Sequence, residues 1–247
     1  MRASVIVPAR YASSRFPGKP LTYLLDKPLV VWVAEVSSRA VGIENTFVAT
    51  DDTRIADLVA HYGYKVIMTS SLCETGTDRL AEACEHLDYD LYINVQGDEP
   101  LVSPVDIQRC IRLKEQNINS VINGYSYILP EDDPLDINMP KVLTTENDRL
   151  VYISRSVVPG FKQPPESPHR YKKQVCIYGY TKSELLNFSS FGRKSFLESC
   201  EDIEILRFID IGSEILMFEC SPNSLSVDVP EDIPKVEILL KKLHSIY

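Results

Sequence analysis

The sequence has no excess of positive charge and no long apolar run. Its 247 residues include 26 Lys and Arg against 35 Asp and Glu, which gives a formal net charge of −9. This balance disfavours a surface for nucleic acid or anionic membrane, so an anion would have to be bound by a local cluster of cations. No window approaches the roughly 18 to 20 apolar residues that span a bilayer. We therefore expect a cytoplasmic protein that binds neither nucleic acid nor membrane.

Several cofactor and metal motifs are also missing. The six cysteines are far apart without a Cys-x-x-Cys pair, and the four histidines lack ligand spacing, which disfavours a zinc site or a disulfide framework. The Walker pattern fails because Pro20 follows Gly18-Lys19 and no glycine stands five residues before Gly18. The dinucleotide pattern Gly-x-Gly-x-x-Gly is absent. The sequence thus supports neither a P-loop kinase nor a common NAD enzyme.

Short β-branched runs alternate with amphipathic segments over the first half of the chain. The predicted strands are 4–8, 46–50, 65–68 and 90–95, and the predicted helices are 28–40, 52–61, 77–86 and 104–116. We expect Asp51 or Asp52 to cap the second of these helices. Such alternation is typical of a parallel sheet with right-handed crossovers. We therefore predict a doubly wound, mostly parallel α/β fold.

In the second half, extended apolar and aromatic runs replace the alternation of strands and helices. This pattern predicts a smaller, mixed sheet region between residues 120 and 180. Its extended runs are SVINGYSYIL, KVLTT, LVYISRSVV and VCIYGY, and the polar segment 160–173 is predicted to be a lid or a dimer arm. A helix is expected at 196–208, a strand at 214–218, and then a strand, a turn and an amphipathic helix. No linker or repeat divides the chain. We predict one domain over 1–247, with a core at 1–119, a second region at 120–212 and a return to the core at 213–247.

Four polar segments follow the carboxyl ends of the predicted parallel strands, where ligands of such sheets bind. They are residues 8–21, 49–52, 69–79 and 94–100. The first, PARYASSRFPGKPL, carries Arg10, Arg15 and Lys19 on a segment interrupted by prolines and by Gly18, which lets the backbone approach a ligand closely. Three cations of this kind suit a triphosphate, although a solvated surface loop fits the same residues.

Two acidic positions add to this candidate site. Asp98 in QGDEP follows a predicted strand, and Asp228 in SVDVPED precedes a helix that starts with proline. Carboxylates from distant segments suit Mg²⁺, which takes few protein oxygens together with substrate phosphates. A turn residue at Asp98 and a helix cap at Asp228 are the alternative interpretations.

Eight segments together resemble, in order and spacing, the CMP-KDO synthetases, which are 3-deoxy-manno-octulosonate cytidylyltransferases. The segments are VPARYASSRFPGKPL, VATDD, TGTDRLAEA, NVQGDEP, YISR, IYGY, LESCEDIEILR and VDVPEDI. The resemblance implies a nucleotidyltransferase (GT-A-like) fold, a homodimer and Mg²⁺ as cofactor. It also implies that the enzyme couples CTP to KDO or a KDO-like ulosonic acid, releases pyrophosphate and serves lipopolysaccharide biosynthesis.

The resemblance further implies roles for individual residues and makes 120–212 the sugar-binding and dimerisation region. The residues implied for CTP binding are Pro8, Ala9, Arg10, Thr75, Gly76 and Arg79. The residues implied for catalysis are Arg15, Lys19, Asp98 and Asp228, of which the two aspartates would also bind the metal. The residues implied for sugar binding are Gln96, Arg155, Lys162, Gln174, Tyr178, Glu204 and Ile205.

Three of the sugar-binding positions depart from the family pattern. Lys162 stands where the family has an arginine, Gln174 where it has a histidine and Ile205 where it has a glutamine. Because a site that hydrogen-bonds its substrate rejects analogues lacking the partner group, these changes predict an altered acceptor. Compensated drift within an ordinary KDO enzyme is the alternative. Two further hypotheses are a CMP synthetase for another nonulosonic, sialic-like acid and a nucleotide-binding protein without turnover.

Overall fold

The first half of the chain alternates strands and helices as the hydrophobic pattern predicts. The computed structural model describes residues 1–13, 16–130, 132–163, 171–222 and 224–244. The elements of this half are β1 (Ala3–Ala9), β2 (Tyr23–Leu24), β3 (Lys27–Pro28), α1 (Leu29–Val41), β4 (Thr46–Thr50), α2 (Thr53–His61), β5 (Lys65–Met68), α3 (Gly76–Glu85), β6 (Leu91–Val95) and α4 (Pro104–Gln116). The eight predicted elements are all present, with ends displaced by at most one residue. Asp52 is the cap of α2, because its carboxylate accepts a hydrogen bond from the backbone N–H of Arg54.

The second half departs from the prediction in several places. Its elements are β7 (Val121–Tyr127), β8 (Lys141–Thr144), β9 (Leu150–Ser154), β10 (Lys172–Tyr180), α5 (Lys182–Ser190), α6 (Phe196–Glu201), α7 (Leu206–Asp210), β11 (Ile215–Glu219) and α8 (Ile233–His244). The single helix predicted at 196–208 is wrong, since Asp202 adopts a left-handed conformation with φ 53° and ends α6. Helix α5 was not predicted. Of the predicted lid or dimer arm at 160–173, residues 164–170 lie outside the described residues.

The strands form one sheet with a single antiparallel member on its main path. In the described ranges this sheet has nine strands, ordered β11-β7-β10-β6-β1-β4-β5, and β8 and β9 branch from β10. Strand β10 runs antiparallel to both β6 and β7, whereas the other neighbours on the path are parallel. The doubly wound, mostly parallel α/β fold is thus confirmed. The predicted mixed region is an extension of the same sheet.

Apolar layers cover both faces of this sheet. One layer contains Leu80 of α3, Phe188 of α5 and Phe208 of α7, and the opposite layer contains Val33 of α1 and Ile107 of α4. Because β1, β4 and β6 are buried on both faces, they read as continuous apolar runs in the sequence. None of the helices in the described ranges is long and apolar enough to span a membrane.

A third apolar cluster docks the C-terminal helix and thereby shapes the rim of the sheet. Val236 and Leu240 of α8 pack with Trp32 of α1, whose indole N–H donates to the carbonyl of Leu24 at 2.8 Å. Val227 belongs to the same cluster. The described segment 226–229 does not form the predicted strand. Its backbone makes an isolated contact instead, in which the N–H of Val227 donates to the carbonyl of Asp98 at 2.9 Å. This contact brings the chain before α8 to the end of β6.

Candidate active site

A cavity of about 530 Å³ opens where β1 and β6 end and β10 begins. Three of the four polar segments predicted for this rim line it, through residues of 8–21, 69–79 and 94–100. The fourth segment, 49–52, supports the cavity from behind, since Asp51 Oδ1 lies 3.4 Å from the guanidinium of Arg79. The remaining walls come from β10, from the α6–α7 region and from the chain that leads into α8.

The proline-rich segment after β1 holds two cations at the cavity. Gly18, with φ 73°, donates its backbone N–H to the carbonyl of Tyr11 at 2.9 Å and so closes the loop. Lys19 Nζ then lies 2.6 Å from Asp98 Oδ2 and 2.9 Å from the carbonyl of Val227. Arg10 also lines the cavity. Arg15, the third predicted cation, lies outside the described residues.

The two predicted metal ligands, Asp98 and Asp228, line the same cavity. The hydrogen bonds of Val227 to Asp98 and Lys19 hold their segments side by side. Ser226 donates its hydroxyl to Asp228 Oδ2 at 3.0 Å. Within the described ranges no group of three or more His, Cys, Asp or Glu is spaced for a metal. The two carboxylates nonetheless fit Mg²⁺, because substrate phosphates and water would supply the remaining ligands of a bound ion.

The start of α3 forms the next wall through a close backbone approach. Thr75 caps the helix in a capping box with Asp78, and its neighbour Gly76 faces Gln96. A Cβ atom at Gly76 would lie 2.8 Å from Gln96 Nε2, and one at Gly97 would lie 2.6 Å from the carbonyl oxygen of Pro8. Position 97 therefore needs glycine, because its Cβ would meet backbone, whereas at Gly76 the nearest atom is the end of the Gln96 side chain, which can move aside. Pro8, Ala9, Thr75, Gly76 and Arg79, all predicted to bind CTP, line the cavity together with Arg10.

The half-buried carboxylate of Glu204 joins this wall to the predicted sugar site. Glu204 Oε2 accepts the backbone N–H of Thr77 at 2.9 Å, and its Oε1 accepts from the side-chain amide of Gln96. Burial raises the pKa of Glu204 above its usual value. Gln96 and Glu204 both line the cavity. Hydrogen bonds through Glu204 thus connect the first turn of α3 to Gln96 and to the predicted sugar site.

Another wall of the predicted sugar site comes from β10 and from Arg155. Gln174 and Tyr178 line the cavity, with Cys176 between them on the same strand. Gln174 Nε2 donates to the hydroxyl of Tyr178 at 3.2 Å. Arg155 also reaches the cavity, where its NH1 donates to the carbonyl of Ile137 at 2.8 Å. These side chains offer a mixture of donors and acceptors suited to a polyhydroxylated ligand.

Two predicted sugar contacts do not reach the cavity. Ile205 is fully buried in the apolar layer that also contains Tyr180 and Phe208, so we withdraw it as a sugar contact. It directly precedes α7, where the chain turns Glu204 towards the cavity and Ile205 into the core. Lys162 is exposed and is absent from the described residues that line the cavity.

One buried residue of the cavity, Glu99, was not predicted from the sequence. Glu99 is buried beside Asp98, and burial raises its pKa to about 7. It accepts hydrogen bonds from the hydroxyl of Ser224 at 2.6 Å and from the backbone N–H of Cys176 at 3.3 Å. Its place directly after Asp98 in NVQGDEP was the only available signal. Glu99 thus ties β10 to the chain before α8.

The fold and this cavity define a nucleotidyltransferase. Residues 4–215 match the family described as Cytidylyltransferase, and the chain belongs to that family. It is 38% identical to a 3-deoxy-manno-octulosonate cytidylyltransferase of Geotalea uraniireducens, over 98% of this chain and 100% of the relative. It is 40% identical to an 8-amino-3,8-dideoxy-manno-octulosonate cytidylyltransferase of a Shewanella species, over 96% of this chain and 98% of the relative.

A solved structure shows the same architecture with nucleotide bound. It is that of a CMP:2-keto-3-deoxy-manno-octonic acid synthetase complexed with CTP. The two folds agree with a TM-score of 0.88 at 34% identity, over 98% of this chain and 99% of the other. The expected nucleotidyltransferase fold is thereby confirmed.

Proposed function

We propose that this enzyme transfers CMP from CTP to the anomeric hydroxyl of KDO or a KDO-like ulosonic acid and releases pyrophosphate. One observation carries the proposal. A single cavity joins the cations Arg10 and Lys19 and the carboxylate of Asp98 to a wall of hydrogen-bonding side chains that includes Gln174 and Glu204. The names of the relatives point to the same pair of substrates.

The geometry suggests how the chain would divide this work. Lys19 and Arg10 would bind the triphosphate, with Arg15 as a further cation, and stabilise the pyrophosphate as it leaves. Asp98 and Asp228 would hold Mg²⁺, which when bound neutralises phosphate charge. Gln174 and the other residues of the sugar wall would orient the sugar hydroxyl in line with the α-phosphate. Positioning and charge stabilisation suffice for this chemistry, so no protein nucleophile is required.

An acceptor with an amine in place of a hydroxyl is the second candidate. Asp136 and Asp202 line the cavity beside Arg155, which donates to the carbonyl of Asp202 at 3.3 Å. A hydrogen bond from Lys194 lowers the pKa of Asp202, which keeps this carboxylate ionised at neutral pH. A protonated amine placed near these carboxylates would gain charge-assisted hydrogen bonds. The relative from Shewanella bears the name of such a substrate.

We also propose that the enzyme is a cytoplasmic homodimer that pairs through the region 120–212. Several large apolar side chains of that region are exposed, among them Leu135 (73%), Ile137 (66%), Val151 (48%) and Phe161 (37%). Exposed apolar area of this kind is typical of a surface covered by a partner. Light scattering of the purified protein should give twice the mass of one chain, and a monomer at micromolar concentration would contradict this part.

Pyrophosphate release with CTP and a panel of sugar acids tests the function. The panel contains KDO, its 8-amino analogue and a sialic acid, each with and without Mg²⁺. We expect turnover with at least one octulosonic acid, and we expect it to be lost in Asp98→Asn and Lys19→Met but kept in Lys65→Met, which changes an exposed lysine outside the cavity. CTP binding without turnover of any acid would support the catalytically silent alternative. Turnover of the sialic acid alone would assign the other nonulosonic acceptor.

A further inference from the structure

An irregularity in β10 fixes the orientation of a buried asparagine of β7. The pairing of these strands shifts between Val175 and Tyr178, which leaves carbonyl groups of β10 outside the regular ladder. Asn123, fully buried, fills this gap, since its Nδ2 donates to the carbonyl of Val175 at 3.0 Å and to that of Ile177 at 2.9 Å. A backbone carbonyl only accepts hydrogen bonds. The amide nitrogen of Asn123 must therefore face these two carbonyl groups, which leaves its Oδ1 free to accept a hydrogen bond from another group.

The orientation of Asn123 in turn fixes that of Gln174. Gln174 Nε2 lies 3.1 Å from Asn123 Oδ1, an atom that can only accept. The same nitrogen donates to the hydroxyl of Tyr178 at 3.2 Å. An amide nitrogen carries two hydrogens, so these two contacts use both. The carbonyl oxygen Oε1 is then the polar atom that Gln174 offers to a ligand in the cavity.

We propose that Gln174 is a specificity-determining residue that presents a hydrogen-bond acceptor to the sugar acid, so that it selects a hydroxyl or protonated amine of the sugar and disfavours the sugar's carboxylate. The inference rests on the proposed function and adds the polarity of one contact. A histidine, the residue expected here from the family resemblance, can donate as well as accept. The polarity of this contact is therefore a property of the Asn123–Gln174 pair.

Monodeoxyfluoro analogues of the best acceptor test the polarity directly, because fluorine is similar in size to a hydroxyl but cannot donate. With the unchanged enzyme, fluorine at one carbon should lower kcat/KM by roughly tenfold or more, since Oε1 loses its donor. In Gln174→Leu the loss at that same carbon should shrink to about twofold or less. Gln174→Met, of similar length, serves the same comparison if the leucine variant does not fold.

Three controls separate the possible outcomes. Gln108→Leu changes a glutamine outside the cavity whose amide donates to the carbonyl of Ala40, and it should leave every ratio unchanged. The KM for CTP should stay constant in all variants. The inference would be overturned if fluorine lowered kcat/KM as much in Gln174→Leu and Gln174→Met as in the unchanged enzyme. It would also be overturned if these variants altered only the reaction of an acceptor whose carboxylate is replaced by a carboxamide. Absence of turnover with every ulosonic acid would instead refute the proposed function, and the inference with it.

Discussion

Replacing Arg207 with leucine should destabilise this enzyme far more than removing an exposed arginine. Arg207 is 1% exposed on α7. Its guanidinium donates to both carboxylate oxygens of Glu198 at 2.7 and 2.8 Å and to Asp78 Oδ1 at 2.8 Å, while it lies 3.8 Å above the ring centroid of Phe188. Burial lowers the pKa of Arg207, but the hydrogen bonds to Glu198 and Asp78 outweigh this and raise it overall. The charged guanidinium thus joins α3, α6 and α7.

The expected loss of unfolding free energy in Arg207→Leu follows from the buried carboxylate that the substitution leaves without a partner. Leucine would remove the counter-ion of Glu198, whose side chain is 1% exposed, and breaking a buried pair in this way costs about 3–5 kcal/mol. The matched control is Arg149→Leu. Arg149 lies 2.8 Å from Glu214 with both side chains well exposed, and such a pair contributes about 0–1 kcal/mol. The two variants should therefore differ by about 3 kcal/mol.

Urea unfolding followed by circular dichroism, at fixed protein concentration, measures this difference. The double variant Arg207→Leu/Glu198→Leu should recover part of the loss, because it removes the stranded carboxylate. If Arg207→Leu lowered the free energy of unfolding by less than about 1 kcal/mol, as expected for Arg149→Leu, the buried ion pair would not stabilise the fold as we predict.

Two further predictions concern the walls of the cavity. Gly97→Ala should cost about 1–3 kcal/mol and impair CTP binding, because its Cβ would lie 2.6 Å from the Pro8 carbonyl oxygen. Gly160→Ala, whose Cβ would have no described atom within 4 Å, should change unfolding by less than about 0.5 kcal/mol, and equal costs would contradict the account. Glu204→Gln tests the raised pKa. Because the folded-state pKa exceeds the usual 4.5, the stabilisation from protonated Glu204 is complete below that value and is lost as pH rises through the folded pKa. The melting temperature of the unchanged enzyme, relative to Glu204→Gln, should fall over this range, and a constant difference would count against it.

The parallel half of the sheet could be predicted because its strands are buried on both faces. Residues 5–9 of β1 and all of β6 are buried, and each appears in the sequence as a short run rich in apolar residues between polar segments. Of the helices between them, α2 buries one face through Ile55 and Val59, whereas residues 29–34 of α1 are all buried. Sequence periodicity is therefore sufficient where burial follows a simple repeat.

The errors arose where tertiary contacts decide the backbone. Residues 196–208 have a helical pattern, but Asp202 turns into the left-handed region and separates α6 from α7. Residues 226–229 alternate like a strand. In the structure, however, the backbone N–H of Val227 donates to the carbonyl of Asp98, just beyond β6, and its side chain packs in the cluster around α8. Contacts of this kind join segments distant in the chain, so no local pattern records them.

In the candidate site, too, some residues could be identified from the sequence and others could not. Lys19, Asp98 and Asp228 were identified because motif resemblance marks charged residues at strand ends, and all three line the cavity. Ile205 was assigned to the sugar site from the family resemblance, but it is fully buried, because a motif does not tell which way a side chain points at a helix start. The hydrogen-bonding role of Asn123 was missed because it depends on an irregularity in strand pairing. Residue types were predictable, whereas orientation and polarity required the fold.

The transfer of labelled phosphate is the most direct test of the central claim. CTP carrying ³²P in its α-phosphate is incubated with Mg²⁺ and the preferred octulosonic acid, and the products are separated. We expect the label to move into a CMP-sugar in a one-to-one ratio with pyrophosphate, and we expect Asp98→Asn to abolish this transfer. Label that remains in CTP, or appears only as free CMP with every acid, would contradict the proposed function.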